Sequence, residues 1–101
     1  MNPVSPQVLD ADTPLALEEL VAASGLPREV VVELVEWGAF EPLPGQAMAF
    51  RSVTLVAARR AARLRQTFLL DSSGLALALA YLDRIDRLEQ RVRELECSAP
   101  R

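Results

Sequence analysis

Histidine and lysine are both missing from this 101-residue chain, so all eleven basic residues are arginine. Those absences exclude Ser-His-Asp and Cys-His catalysis, histidine metal sites, Schiff-base chemistry and the phosphate-cradling lysine of a P-loop. Cysteine is nearly absent too. Cys97 alone forms neither an internal disulfide nor a zinc site, and a reducing compartment fits that usage. Long uncharged runs are lacking. About a dozen residues separate Asp71 from Asp83, short of the roughly 20 that a membrane-spanning helix needs. The N-terminus has no charged start followed by an apolar run, so no secretory signal is expected. The expectation is a cytoplasmic protein, off the membrane, with no catalytic residues, no metal and no cofactor. A binding or regulatory module is the default.

What is present suits one globular domain: half of the residues are hydrophobic and a quarter are charged. The net charge of −3 hides an asymmetry. Residues 1–50 hold Arg28 against eight acids, a net of −7, and residues 51–101 hold ten Arg against six acids, a net of +4. An acidic half repels phosphate, whereas a basic half can meet an acidic surface.

Residues 1–13, with two prolines and two aspartates, read as an extended lead-in. Leu15 and Leu17 alternate with Pro14 and Ala16, which allows a short strand. Leu17, Leu20 and Val21 then take helical spacing, for a helix over about 18–23 that Ser24-Gly25 ends. A second helix over 27–36 starts on Pro27. Val30, Val31, Leu34 and Val35 make its apolar stripe, with Glu29, Glu33 and Glu36 on another face. The two helices, with a Ser-Gly-Leu connection, outline a helix-turn-helix. Pro44-Gly45 marks a turn before the alternating Met48 and Phe50, a small hairpin or loop in the place of a wing. Ser52 is the expected cap of a third helix over 53–70, with Val53, Ala57, Ala61, Leu64 and Phe68 as its buried stripe. Asp71-Ser72-Ser73-Gly74 breaks that helix and offers Ser72 or Ser73 as the next cap.

The fourth helix, over 74–96, carries two apolar runs. Leu75, Leu79 and Leu82 form one, and Ile85, Leu88, Val92 and Leu95 form the other, with a phase break between them. At 1.5 Å per residue it reaches about 33 Å, longer than the small N-terminal unit is expected to cover. Its second half is expected to pack on another copy or another protein.

The helix-turn-helix outline invites a DNA-reading hypothesis, yet the second helix presents Arg28 against Glu29, Glu33 and Glu36 and has neither Asn nor Gln. Groove-facing carboxylates meet phosphate repulsion. A scaffold role for that helix is the expectation, with no nucleic acid bound through it. Arg59, Arg60, Arg63 and Arg65 on the third helix read as a solvated or ion-paired face, with phosphate contact as the other reading. Trp37 is expected in the core between helix and hairpin, with a partner anchor as the alternative. Asp83 and Asp86, near Arg84 and Arg87, read as a mixed-charge face or as a docking point for a basic partner. Nothing beside them signals acid–base catalysis. Cys97 reads as a spectator.

Residues 15–96 resemble the winged helix-turn-helix of MerR-type regulators, and within them the CbpM-type chaperone modulators. Arg60-Ala61-Ala62-Arg63-Leu64-Arg65 is similar to that family's R-A-x-R-L-R run. Leu70-Asp71, Gly74, Ala76, Ala78-Leu79, Asp83, Ile85 and Leu88 match its L-D-x-x-G-x-A-x-A-L-x-x-x-D-x-I-x-x-L pattern. Ser24-Gly25, and Gly38 followed by Glu41-Pro42, match its helix turn and wing entry. The resemblance implies a protein that binds the J-domain of a DnaJ-like, CbpA-type co-chaperone, inhibits its stimulation of a DnaK-type chaperone and reduces its DNA binding. J-domains use a strongly basic helix for that stimulation, so an inhibitor should offer acids and apolar anchors.

The expected fold is all-α: a winged helix-turn-helix (MerR-like) domain over 14–71 with a small hairpin or wing, then a long C-terminal helix over 72–96 of the same domain and a frayed tail over 97–101. The expected partner contacts are Leu82, Asp83 and Asp86, with Asp71 nearby. The expected homodimer seam is Ile85, Leu88, Val92 and Leu95. The alternative from a different class is a MerR-like DNA-binding transcription regulator, and a weaker third is a coiled-coil adaptor with another partner.

Overall fold

The computed structural model describes residues 13–45 and 48–98. Almost all of the predicted lead-in, and the last three residues of the predicted tail, lie outside the described residues. Four helices and one two-stranded sheet make up the described fold, in the order β1 (Leu15–Ala16), α1 (Leu17–Ser24), α2 (Arg28–Glu36), β2 (Ala49–Phe50), α3 (Val53–Phe68) and α4 (Ser72–Ser98).

Each element starts and stops for a local reason. Glu19 reaches back to accept the Ala16 N–H at 2.8 Å, which satisfies a donor at the start of α1. Gly25 ends α1 at φ +83°, a left-handed conformation that glycine adopts without a steric penalty. The Ser24 hydroxyl donates to the Val21 carbonyl and accepts the Leu26 N–H, so this buried polar group is satisfied. Pro27 sits one position before α2, in extended backbone, and its carbonyl accepts from Val30 and Val31.

β2 pairs antiparallel with β1, Leu15 opposite Phe50. Of the hairpin or loop expected in the wing position, the described residues show no hairpin strand paired with β2: the Leu43 N–H donates to the Ala49 carbonyl at 2.7 Å, and β2 itself turns to the N-terminal end of the domain. That pairing delivers Phe50, fully buried, into the core.

The core joins Leu17 and Leu20 of α1, Val30, Val31 and Leu34 of α2, Phe40, Phe50, and Leu55, Ala58 and Ala61 of α3. Leu75 and Leu79 of α4 close it. Two expectations for α3 fail. Ser52 makes no capping bond with its side chain, because its backbone is already helical at φ −61°, ψ −26°. Of the expected stripe Ala61 is buried and Ala57 and Leu64 are half-buried, but Val53 and Phe68 are exposed, and the buried face is Leu55, Ala58 and Ala61. At about 100° per residue the centre of the buried face is turned about 100° from the expected one. The small Ala58 and Ala61 let α3 lie close against α1, and that contact sets the rotation. Arg59 reinforces it by donating to the Ala23 carbonyl at 3.3 Å, where the C-terminal end of the α1 dipole favours a cation.

α3 ends on Leu69 in the left-handed region, φ +57°, which lets the chain reverse within three residues. The cap of α4 is Asp71 rather than either serine. Its Oδ1 accepts the Gly74 N–H at 2.9 Å and the Ser73 hydroxyl at 3.0 Å. Ser72 is spent otherwise, its hydroxyl donating to Glu33 of α2. α4 runs 27 residues, about 40 Å, and includes Cys97 and Ser98 in its last turn rather than in a frayed tail.

Candidate functional site

Trp37 is not in the core. It caps the end of α2 and is 61% exposed, because α4 packs along α2 and leaves the indole beside it rather than beneath it. From there a cleft of about 530 Å³ opens between α2, α3 and α4. Trp37, Val53 and Val56 supply its large apolar side chains, and Ala57, Ala76 and Ala80 leave the space between them. Asp83 and Asp86 line it from α4, and Arg60 from α3.

The charged groups at the cleft are paired. Arg60 Nη1 donates to Asp86 Oδ2 at 2.9 Å, and Arg87 Nε donates to Asp83 Oδ2 at the same distance. With side-chain exposures of 36% and 52%, the Arg60–Asp86 pair is screened by water. Such a pair is worth about 0–1 kcal/mol. Both acids can therefore exchange partners at small cost.

The expected partner contacts fall in three places. Asp83 and Asp86 come together at the cleft. Leu82 is half-buried and continues the core-facing run of Leu75 and Leu79. Asp71 stands at the N-terminal end of α4, about 18 Å from Asp83 along the helix axis. Its carboxyl is held below the usual carboxylate range by the bonds from Gly74 and Ser73. Ile85, Leu88, Val92 and Leu95 are 47–54% exposed, a half-open apolar stripe that the domain does not cover. Leu77 and Tyr81, also exposed, extend that stripe toward the N-terminus of α4.

The sequence reading missed the apolar side of the cleft. A signal was there: Val53, Val56, Ala57 and Arg60 fall at i, i+3, i+4, i+7, one face of a helix with a charged end. It competes with the neighbouring stripe of Leu55, Ala58 and Ala61, and periodicity alone does not rank the two.

The scaffold presents α2 as acidic. Glu18 pairs with Arg28, α2's single cation, at 2.9 Å, and Glu33 accepts from Ser72. Among the described residues no group of three His, Cys, Asp or Glu is placed to hold a metal, and no helix is long and apolar enough to cross a membrane.

Comparison with known proteins agrees with this architecture. The family model described as MerR HTH family regulatory protein matches residues 15–97. The chain is 36% identical over 91 residues to the chaperone modulatory protein CbpM of Coxiella burnetii (strain Dugway 5J108-111), covering 88% of this chain and 86% of the relative. It is 33% identical over 81 residues to the chaperone modulatory protein CbpM of Citrobacter koseri, covering 78% and 80%. Neither description is that of an enzyme. A helix-turn-helix with an acidic second helix, a loop in the wing position and a long C-terminal helix, matched by these relatives over most of their length, makes this chain a member of the CbpM chaperone modulatory family within the MerR helix-turn-helix proteins.

Proposed function

We propose that the chain is a non-enzymatic chaperone modulator that docks on the J-domain of a DnaJ-like, CbpA-type co-chaperone and blocks its stimulation of a DnaK-type chaperone. One observation carries the reading beyond the relatives' name. Asp83 and Asp86 stand one turn apart on α4, where the covered half of the helix ends, and both line the apolar cleft. A strongly basic J-domain helix is the complement of such a surface, and occupying that helix denies it to the chaperone. Leu82 supports the acid pair from the core side, and Asp71 contributes through the helix it caps. Ile85, Leu88, Val92 and Leu95 form the proposed seam of a homodimer, and the setting is the cytoplasm.

Titration of a CbpA-type J-domain against the Asp83→Arg/Asp86→Arg variant tests the reading. The expected result is roughly tenfold weaker binding or more at low salt, with a flatter dependence on ionic strength. Unchanged affinity would remove the site, and a wild-type chain that binds no J-domain would remove the function.

The MerR match sustains a second reading, a DNA-binding transcription regulator. The acids of α2 weigh against it, because a recognition helix needs cations to offset phosphate. Specific sub-micromolar retardation of duplex DNA at low salt would put that reading first.

A further inference from the structure

The acids that a basic partner needs are already engaged, Asp86 with Arg60 and Asp83 with Arg87. Beside them lies an apolar cleft that the chain leaves unfilled. We infer that the cleft seats the apolar ridge of an amphipathic basic partner helix, and that Arg60 stands in for that partner's cation on Asp86 until docking displaces it. The inference rests on the basic-helix partner proposed above. It adds where the ridge lies and what the partner must replace.

Three observations carry it. Trp37, Val53 and Val56 are each more than 60% exposed although they converge on one cleft, and a Trp beside small residues is a common anchor at protein interfaces. Ala57, Ala76 and Ala80 leave a groove between two neighbouring helices, a shape that takes the apolar face of a third. The charges lining the cleft are two carboxylates and one guanidinium, and the exposed Glu36 precedes Trp37, so a cation rather than a phosphate is the matching occupant. Arg60 holds Asp86 through a single nitrogen–oxygen contact. An incoming Arg or Lys carried by a docked helix would compete for that oxygen with the advantage of the apolar contact behind it.

The test uses the intact chain and a tryptophan-free CbpA-type J-domain. Trp37 is this chain's sole tryptophan, so its emission reports the cleft alone. Docking should shift that emission to the blue. Trp37→Ala and Val56→Glu should each weaken binding by roughly tenfold or more while circular dichroism and Tm stay near wild type, since both side chains are mostly exposed. Arg60→Gln should tighten binding severalfold and steepen its salt dependence, because Asp86 is then free. Binding that needs Asp83 and Asp86 but ignores Trp37 and Val56, with no blue shift, would overturn the cleft and leave the proposed function standing. Weaker binding by Arg60→Gln would overturn the displacement. Loss of self-association in Trp37→Ala would make a second copy the occupant and overturn the partner assignment. No binding by the wild type would overturn both proposals.

Discussion

Asp71 illustrates how one side chain is committed before any partner arrives. Its carboxylate accepts the Gly74 N–H, one of the first backbone donors of α4, and the Ser73 hydroxyl. A Cβ at Gly74 would lie 3.3 Å from that same carboxylate oxygen, so the glycine leaves the cap its room. The L-D-x-x-G spacing thus has a geometric reason here. Because these bonds hold the carboxyl below the ordinary aspartate value of 3.8, its contribution to stability is fully present above that pH. The contribution is lost as pH falls through the lower, folded-state value. Asp71→Ala should lower Tm at neutral pH, and the difference from wild type should shrink as the pH is taken below 3.8. Asp71→Asn, which still caps, should retain most of the stability. A Tm difference for Asp71→Ala that is the same at pH 7 and pH 3 would show that the charge plays no part.

At the scale of elements, α3 decides the arrangement of the cleft. It carries two adjacent apolar stripes, and only one can face α1. Leu55, Ala58 and Ala61 take that place, which turns Val53, Val56 and Ala57 outward to the cleft. The assignment predicts opposite outcomes for two small changes. Ala58→Leu overpacks the α1–α3 contact and should cost about 1–3 kcal/mol in urea unfolding. Val53→Ala removes mostly exposed atoms and should stay within about 0.5 kcal/mol of wild type. The reverse ranking would mean that the expected stripe, and not the observed one, is the buried face. β2 behaves similarly: its two residues read as the return of a hairpin, yet their partner is β1, more than 30 residues earlier. A two-residue strand carries too little pattern to name its neighbour.

Across the whole molecule, α4 serves two surfaces that do not overlap. Leu77, Tyr81, Ile85, Leu88, Val92 and Leu95 fall within about 80° of one another around the helix. Asp83 and Asp86 each lie about 150° from the centre of that stripe. A second copy on the stripe therefore leaves the cleft open. Leu88→Glu/Val92→Glu should convert the proposed dimer to a monomer in sedimentation, with J-domain affinity within about twofold of wild type. Loss of affinity together with the dimer would show that the two faces are coupled. The charge split also gains a place in the structure. Part of the negative half is α1 and α2, where Glu18 pairs with Arg28 and Glu33 accepts from Ser72, while part of the positive half is α3, where Arg59 and Arg60 hold the fold and the cleft.

Composition, spacing and punctuation settled much by themselves. The missing His and Lys removed most catalytic chemistry. The glycine at 25, the proline at 27 and the apolar spacing placed the helices to within a few residues, because these signals act through local backbone sterics and a 3.6-residue period. The overlong fourth helix, its half-open stripe and its acid pair were legible on the same grounds. Tertiary structure alone decided how α3 turns about its axis, where Trp37 comes to lie, and which strand pairs with Phe50. Periodicity specifies that a helix has an apolar face, but when two such faces adjoin, the closeness that small residues permit between neighbouring helices selects the one that is buried. The face left over is the one that builds the cleft.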